Sequence, residues 1–222
     1  MISSSYIRYF FYLGINWNPL IALRILYHEI RGEKKYKIDT TGYDELNELE
    51  DAGVDISHAT MYMPADYPLL EELISKVPLI NRSHFIDIGC GKGRALCVAA
   101  HVGSKRLTGI DFSKSLCNKA TKNLAITAQF VLGMQYTIVH NDAFYFEIPR
   151  DAGTIFLFNP FDEVILSGLL KNILRSLKEN KRSLYIIYLN PLHKEMFLQE
   201  GFIEIYYVKR MKYLEASVLS IY

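Results

Sequence analysis

Two periods of hydrophobic spacing divide this chain. Up to about residue 80 the apolar positions recur at helical intervals. Leu20, Leu23, Leu26, Tyr27 and Ile30 follow Asn18-Pro19, a capping residue with proline at the first helical position, and Gly32 marks the expected stop. Asp44–Leu49 reads as a short acidic helix, 57–67 as irregular, and Pro68–Val77 as a helix ending before Pro78.

From His84 onward short apolar runs alternate with helical patterns. Strands are expected at 84–88, 107–110, 136–140, 154–158 and 183–188. Helices are expected at 94–102, after the capping Ser113, after the capping Asp162 and over 191–200. Two final strands, 202–209 and 215–221, are joined by a short loop and form an antiparallel hairpin. Strands alternating with helices imply a parallel sheet covered on both faces. The expected fold is α/β, a doubly wound seven-stranded sheet with a C-terminal antiparallel hairpin. Residues 1–80 read as a helical extension or lid and 81–222 as the main domain.

Half of the 222 residues are hydrophobic and the net charge is +1, so a packed core is expected and nothing demands nucleic acid as partner. Cys90, Cys97 and Cys117 make an odd count without a C-x-x-C, and the six histidines show no ligand spacing. No metal is expected, and a reducing compartment, the cytoplasm, fits. Charge is uneven: residues 1–36 carry Arg8, Arg24, Arg31, Lys34 and Lys35 against Glu29 and Glu33, and an acidic stretch from Asp39 to Asp55 follows. The aromatic run Tyr9–Tyr12 within residues 6–27 suits either a lid over the main domain or weak contact with a membrane or partner.

The chemistry gathers at strand ends. Phe85-Ile86-Asp87-Ile88-Gly89-Cys90-Gly91-Lys92-Gly93-Arg94 joins the first strand to the next helix, and its glycines let the backbone lie against a ligand. The N–H groups opening that helix are expected to point at the ligand. Asp111 ends the next strand, 18 residues after Gly93, where a carboxylate can accept from a ribose diol. A dinucleotide fingerprint would carry a third glycine at position 94, which is Arg. Asp87 would repel a pyrophosphate but suits an α-ammonium.

These residues resemble class I (seven-strand, Rossmann-like) S-adenosylmethionine (SAM) dependent methyltransferases. D-I-G-C-G-K-G-R and G-I-D-F are similar to motif I and the ribose-binding acid of that superfamily, and Asn141-Asp142-Ala143 to its adenine-binding segment. The resemblance implies SAM as cofactor, held by Asp87, Gly89, Cys90, Gly91, Gly93, Asp111, Phe112, Asn141, Asp142, Ala143 and Asn159. Asn159-Pro160-Phe161 resembles the (Asp/Asn)-Pro-Pro-(Tyr/Phe) motif of amino-group methyltransferases, with one proline instead of two. Tyr62-Met63-Pro64 is similar to the segment before motif I in small lysine methyltransferases of this type. The implied catalytic set is Asn159, Pro160, Phe161 and Tyr62. The implied activity is methyl transfer to an amino nitrogen, with protein lysine or a small-molecule amine as acceptor. A nucleobase N-methyltransferase, an O-methyltransferase using His140 or His193 as base, a SAM-binding module without catalysis and an NAD-dependent oxidoreductase stay open.

Overall fold

The computed structural model describes residues 4–16, 18–42, 64–158, 162–210 and 214–222. Two helices open the chain, α1 (Ser4–Asn16) and α2 (Pro19–Tyr36), and α3 (Tyr67–Ser75) leads into the sheet domain. Then come β1 (His84–Ile88), α4 (Arg94–His101), β2 (Arg106–Asp111), α5 (Lys114–Ala128), β3 (Gln135–His140) and β4 (Thr154–Phe158). α6 (Glu163–Glu179), β5 (Leu184–Leu189), α7 (Lys194–Gln199), β6 (Ile203–Arg210) and β7 (Leu214–Ile221) complete it.

The seven strands form one sheet in the order β3-β2-β1-β4-β5-β7-β6. β1 to β5 pair in parallel, and β7 inserts between β5 and β6, antiparallel to both. β1 and β5 are buried along their whole length, as central strands covered on both faces must be. One face packs beneath Leu70, Leu96 and Leu124, the other beneath Leu166, Leu169 and Phe197. Helix starts follow local capping: Asn18 Oδ1 accepts from Leu20 N at 2.8 Å, Ser113 Oγ from Leu116 N at 3.3 Å, and Asp162 from Val164 and Ile165 N.

The N-terminal helices depart from the sequence reading in three ways. First, the Leu20, Leu23, Tyr27 and Ile30 row faces outward, while Ala22, Glu29, Gly32 and Tyr36 are buried. Second, α2 runs past Gly32 to Tyr36 and ends at Lys37, in the left-handed region with φ 57°. Gly32 is a point of close approach instead, since a Cβ there would lie 2.1 Å from Cδ2 of the buried Tyr67 ring. Third, the 9–12 aromatic run divides: Tyr9 packs with Leu13 and Ala22 between α1 and α2, and Phe11 is exposed. At the other end of the chain the 191–200 helix shortens to Lys194–Gln199.

Gly32→Ala is expected to destabilise the fold by about 1–3 kcal/mol, because the Tyr67 ring is stacked on Tyr36 at 5.6 Å and has nowhere to go. Urea unfolding of the variant, set against a Gly14→Ala control in α1, where an added Cβ meets nothing within 4 Å, checks this.

Candidate active site

The loop after β1 is built for close approach. Gly89, Gly91 and Gly93 all take positive φ (76°, 53° and 81°), a region other residues enter at a cost. A Cβ on Gly93 would also press on Ala120 Cβ at 3.1 Å. The loop is pinned to β2: Gly89 N and Cys90 N both donate to Ile110 O, at 2.8 and 2.9 Å, and Gly93 N donates to Cys90 O at 2.8 Å. Gly91 N donates to Asp111 Oδ2 at 2.8 Å. These four amides therefore hold the loop's own shape. What the loop contributes is room. The Cys90 side chain turns inward against Gly109, and burial pushes its thiol well above the usual range, so it is a packing group.

Two carboxylates flank that room. Asp111 is buried, and its Oδ1 accepts from Ser113 N at 2.9 Å while Oδ2 takes Gly91 N. Burial raises its carboxyl above the ordinary value, and the two amides oppose that rise. Each oxygen retains a second lone-pair direction, so a diol can still be accepted. Asp87 differs. It is 3% exposed and has no hydrogen-bond partner among the described residues. Burial, with the Asp111 carboxylate nearby, pushes its carboxyl well above the usual range. A buried, unpartnered carboxylate beside a cradle of glycines fits a ligand that brings a cation.

The adenine-side candidates lie at the neighbouring strand end. Asn141 N donates to Asp111 O at 3.1 Å, and Asn141 Oδ1 accepts from Asp142 N at 2.9 Å. Asp142 Oδ1 accepts from Phe144 N at 2.8 Å and caps a short 3-10 turn, Ala143–Tyr145. Asp142 is thus a turn-capping residue as well as a candidate acceptor, with Ala143 buried beside it. Asn172 of α6 fixes this turn by donating to Phe144 O at 2.9 Å. Phe112 is half-buried at the end of β2, and its carbonyl lies 2.8 Å from His140 Nε2. That contact occupies one nitrogen of a histidine considered as a base. His193 Nδ1 instead meets Glu163 Oε1 at 3.2 Å, at the edge where β4 and β5 end. Tyr62, Asn159, Pro160 and Phe161 lie outside the described residues.

Sequence reasoning missed a buried network behind the loop. The Arg94 guanidinium, 3% exposed, meets Glu29 of α2 with both ends, at 2.6 and 2.5 Å. It also donates to Thr40 Oγ1 at 2.8 Å and Ala65 O at 2.7 Å, and lies over the Tyr67 ring at 4.1 Å. Lys92 Nζ donates to Thr41 O at 3.1 Å. Asn123 Nδ2 joins Lys92 O to Asp39 O, each at 2.9 Å. The two cationic side chains of the glycine loop thereby clamp residues 39–41 and α2 against it. The only sequence signal was an acid, Glu29, among the basic residues of that helix.

Residues 85–180 match the family model described as "Methyltransferase domain". The protein is also similar in structure to an RNA methyltransferase from Salinibacter ruber solved with S-adenosyl-L-homocysteine: TM-score 0.53 at 17% identity, covering 71% of this chain and 92% of that one. Residues 85–180 form a methyltransferase domain. A ribosomal protein L11 methylase from Lactobacillus delbrueckii subsp. bulgaricus is likewise similar in fold to this methyltransferase domain: TM-score 0.51 at 14% identity, covering 71% of this chain and 79% of that one. Trans-aconitate 2-methyltransferase from Paracidovorax citrulli (strain AAC00-1) is 39% identical over 61 residues. That match spans 27% of this chain and 23% of the relative. SAM is the cofactor of this domain type, and the glycine cradle and the two carboxylates fit it. Among the described residues no group of three or more potential ligands suited to a metal ion occurs, and no helix is long and apolar enough to cross a membrane.

Proposed function

We propose that this chain is a SAM-dependent methyltransferase acting on an amino nitrogen, with protein lysine first among acceptors and a small-molecule amine next. The observation that carries the cofactor half is Asp87, a buried carboxylate without a hydrogen-bond partner among the described residues, beside three glycines of positive φ. In this reading Asp87 takes the α-ammonium, Asp111 the ribose diol, and Asp142 with Ala143 the adenine edge. The bound cofactor supplies an electrophilic methyl on a sulfonium. Asn159 follows β4 in sequence, at the carboxyl edge where open α/β sheets bind ligands. Its side-chain oxygen and backbone carbonyl would accept from the acceptor N–H and aim the nitrogen lone pair, while Phe161 supplies an apolar wall. Three buried free thiols suit a reducing, cytoplasmic setting.

A second reading is supported by the His193–Glu163 pair. A histidine oriented by a carboxylate at the strand ends is a candidate base for a hydroxyl or acid acceptor. Trans-aconitate 2-methyltransferase, by its name, acts on such an acid. Labelled SAM with a panel of lysine peptides, amines and carboxylic acids separates the two. Under the leading reading Asn159→Ala keeps SAM affinity and loses at least tenfold in turnover, and His193→Ala stays near wild type. Loss confined to His193→Ala would move the acceptor to oxygen. SAM binding without transfer to any acceptor class would leave a binding module.

A further inference from the structure

One asparagine ties three parts of the molecule together. Asn123 lies in the interior of α5 and is 4% exposed. Asparagine is a poor helix former, because its amide competes for backbone groups. Here that amide is committed outside its own helix. Nδ2 donates to Lys92 O of the glycine loop and to Asp39 O, and Oδ1 accepts from Asp39 N at 3.0 Å. Both amide hydrogens therefore go to carbonyls, one in each segment.

The first carbonyl belongs to the Lys92–Gly93 peptide. The other side of that peptide is fixed too, since Gly93 N donates to Cys90 O at 2.8 Å. A trans peptide points its carbonyl and its N–H in opposite directions, so the two contacts hold one plane. Gly93, at φ 81°, gives the chain freedom to turn that plane over. Turned over, Lys92 O would face Cys90 O, and the Gly93 N–H would face the Asn123 N–H. The second carbonyl belongs to a strap over 37–41 that runs beside α5 toward the loop. Lys37 Nζ lies 3.9 Å from the centre of the Phe130 ring just past the end of α5, and Ile38 is buried in the core. Asp39 meets Asn123, Thr40 Oγ1 accepts from Arg94 Nε, and Thr41 O accepts from Lys92 Nζ.

We infer that Asn123 is a positioning residue for the cofactor. It holds the Lys92–Gly93 peptide in the shape that keeps the glycine cradle open for SAM, and it makes the 37–41 strap part of that shape. The inference rests on SAM binding in the cradle. A loop that samples other peptide orientations binds in proportion to the time it spends in the competent one. Losing the Asn123 amide should therefore weaken SAM binding beyond any loss of global stability.

The test compares Asn123→Ala and Asn123→Asp with a Thr127→Val control, all in the full chain. Thr127 lies one turn further along α5, is buried, and donates its hydroxyl to Asn123 O at 3.0 Å, within the helix itself. Asn123→Asp keeps an acceptor for Asp39 N but has no hydrogen for either carbonyl, so it isolates the donor role. Titration calorimetry should show SAM affinity at least about tenfold weaker in both Asn123 variants and within about twofold of wild type in Thr127→Val. Hydrogen exchange read by mass spectrometry is the second readout. Amides 89–94 and 37–41 should exchange faster in the Asn123 variants, beyond any change in β5, and saturating SAM should slow them again. Loss of global stability alone would instead speed β1 and β5. Wild-type affinity in both variants, or a loss matched by Thr127→Val, overturns the inference. If neither Asn123 variant folds, wild type decides: SAM should slow exchange at 37–41 as well as at 89–94, and an unaffected strap overturns it. A wild type that ignores SAM removes the proposed function, and this inference with it.

Discussion

Asp87→Asn is expected to stabilise the ligand-free protein while weakening SAM binding about 30- to 150-fold. The opposite signs share one cause. Without ligand, Asp87 is a buried carboxylate with no partner among the described residues, and ionising it there costs free energy. Replacing it with a neutral amide removes on the order of 1–3 kcal/mol of that cost. For a chain of this size that raises Tm by about 2–4 °C per kcal/mol. In the proposed SAM complex the same carboxylate would pair with the α-ammonium, and losing a charge-assisted hydrogen bond costs about 2–3 kcal/mol.

The pH dependence follows from the same residue. In the folded, ligand-free state Asp87 holds its proton more tightly than its ordinary value of 3.8 would allow. Its contribution to stability is therefore full below that ordinary value and is lost as pH rises through the raised folded value. SAM binding should favour the ionised form, release a proton, and weaken as pH falls through the ligand-free value. Thermal melts with and without SAM from mildly acidic to mildly alkaline pH, and calorimetry in buffers of different ionisation enthalpy, check all of this. An Asp87→Asn protein with unchanged Tm and unchanged affinity would remove the residue from the site.

Glu29→Ala should be the most destabilising single substitution in the N-terminal helices. It leaves the Arg94 guanidinium buried without its carboxylate, and breaking such a pair costs about 3–5 kcal/mol. Because Arg94 opens the helix after Gly93, the damage reaches the cofactor loop, and SAM affinity should fall with stability. Replacing both partners together, as Glu29→Met with Arg94→Met, should recover much of the stability, since no charge is left stranded. Urea unfolding monitored by circular dichroism, paired with SAM titration, gives both quantities. A Glu29→Ala protein of wild-type stability would mean the pair stabilises nothing. Recovered stability without recovered SAM affinity would show that the clamp sets the loop's geometry as well as the fold's strength.

Strand–helix alternation, the helix caps at Asn18, Ser113 and Asp162, the glycine loop and the acid ending β2 were all legible in the amino-acid sequence. Each depends on residues close together in the chain: a two-residue strand period, a side chain bonding two or three residues ahead, a turn only glycine enters cheaply. The inward face of α2 was not legible. Hydrophobic spacing pointed to Leu20, Leu23, Tyr27 and Ile30, but the helix turns Glu29 inward because its partner, Arg94, waits 65 residues away. A buried ion pair outranks an apolar row only once both charges can meet, and that is a property of the assembled fold. Tertiary structure also decided that β7 lies between β5 and β6. It likewise separated two similar acids: Asp111 accepts from two backbone amides, while Asp87 is buried with no hydrogen-bond partner among the described residues. Composition assigns a carboxylate its charge; only packing assigns it a partner.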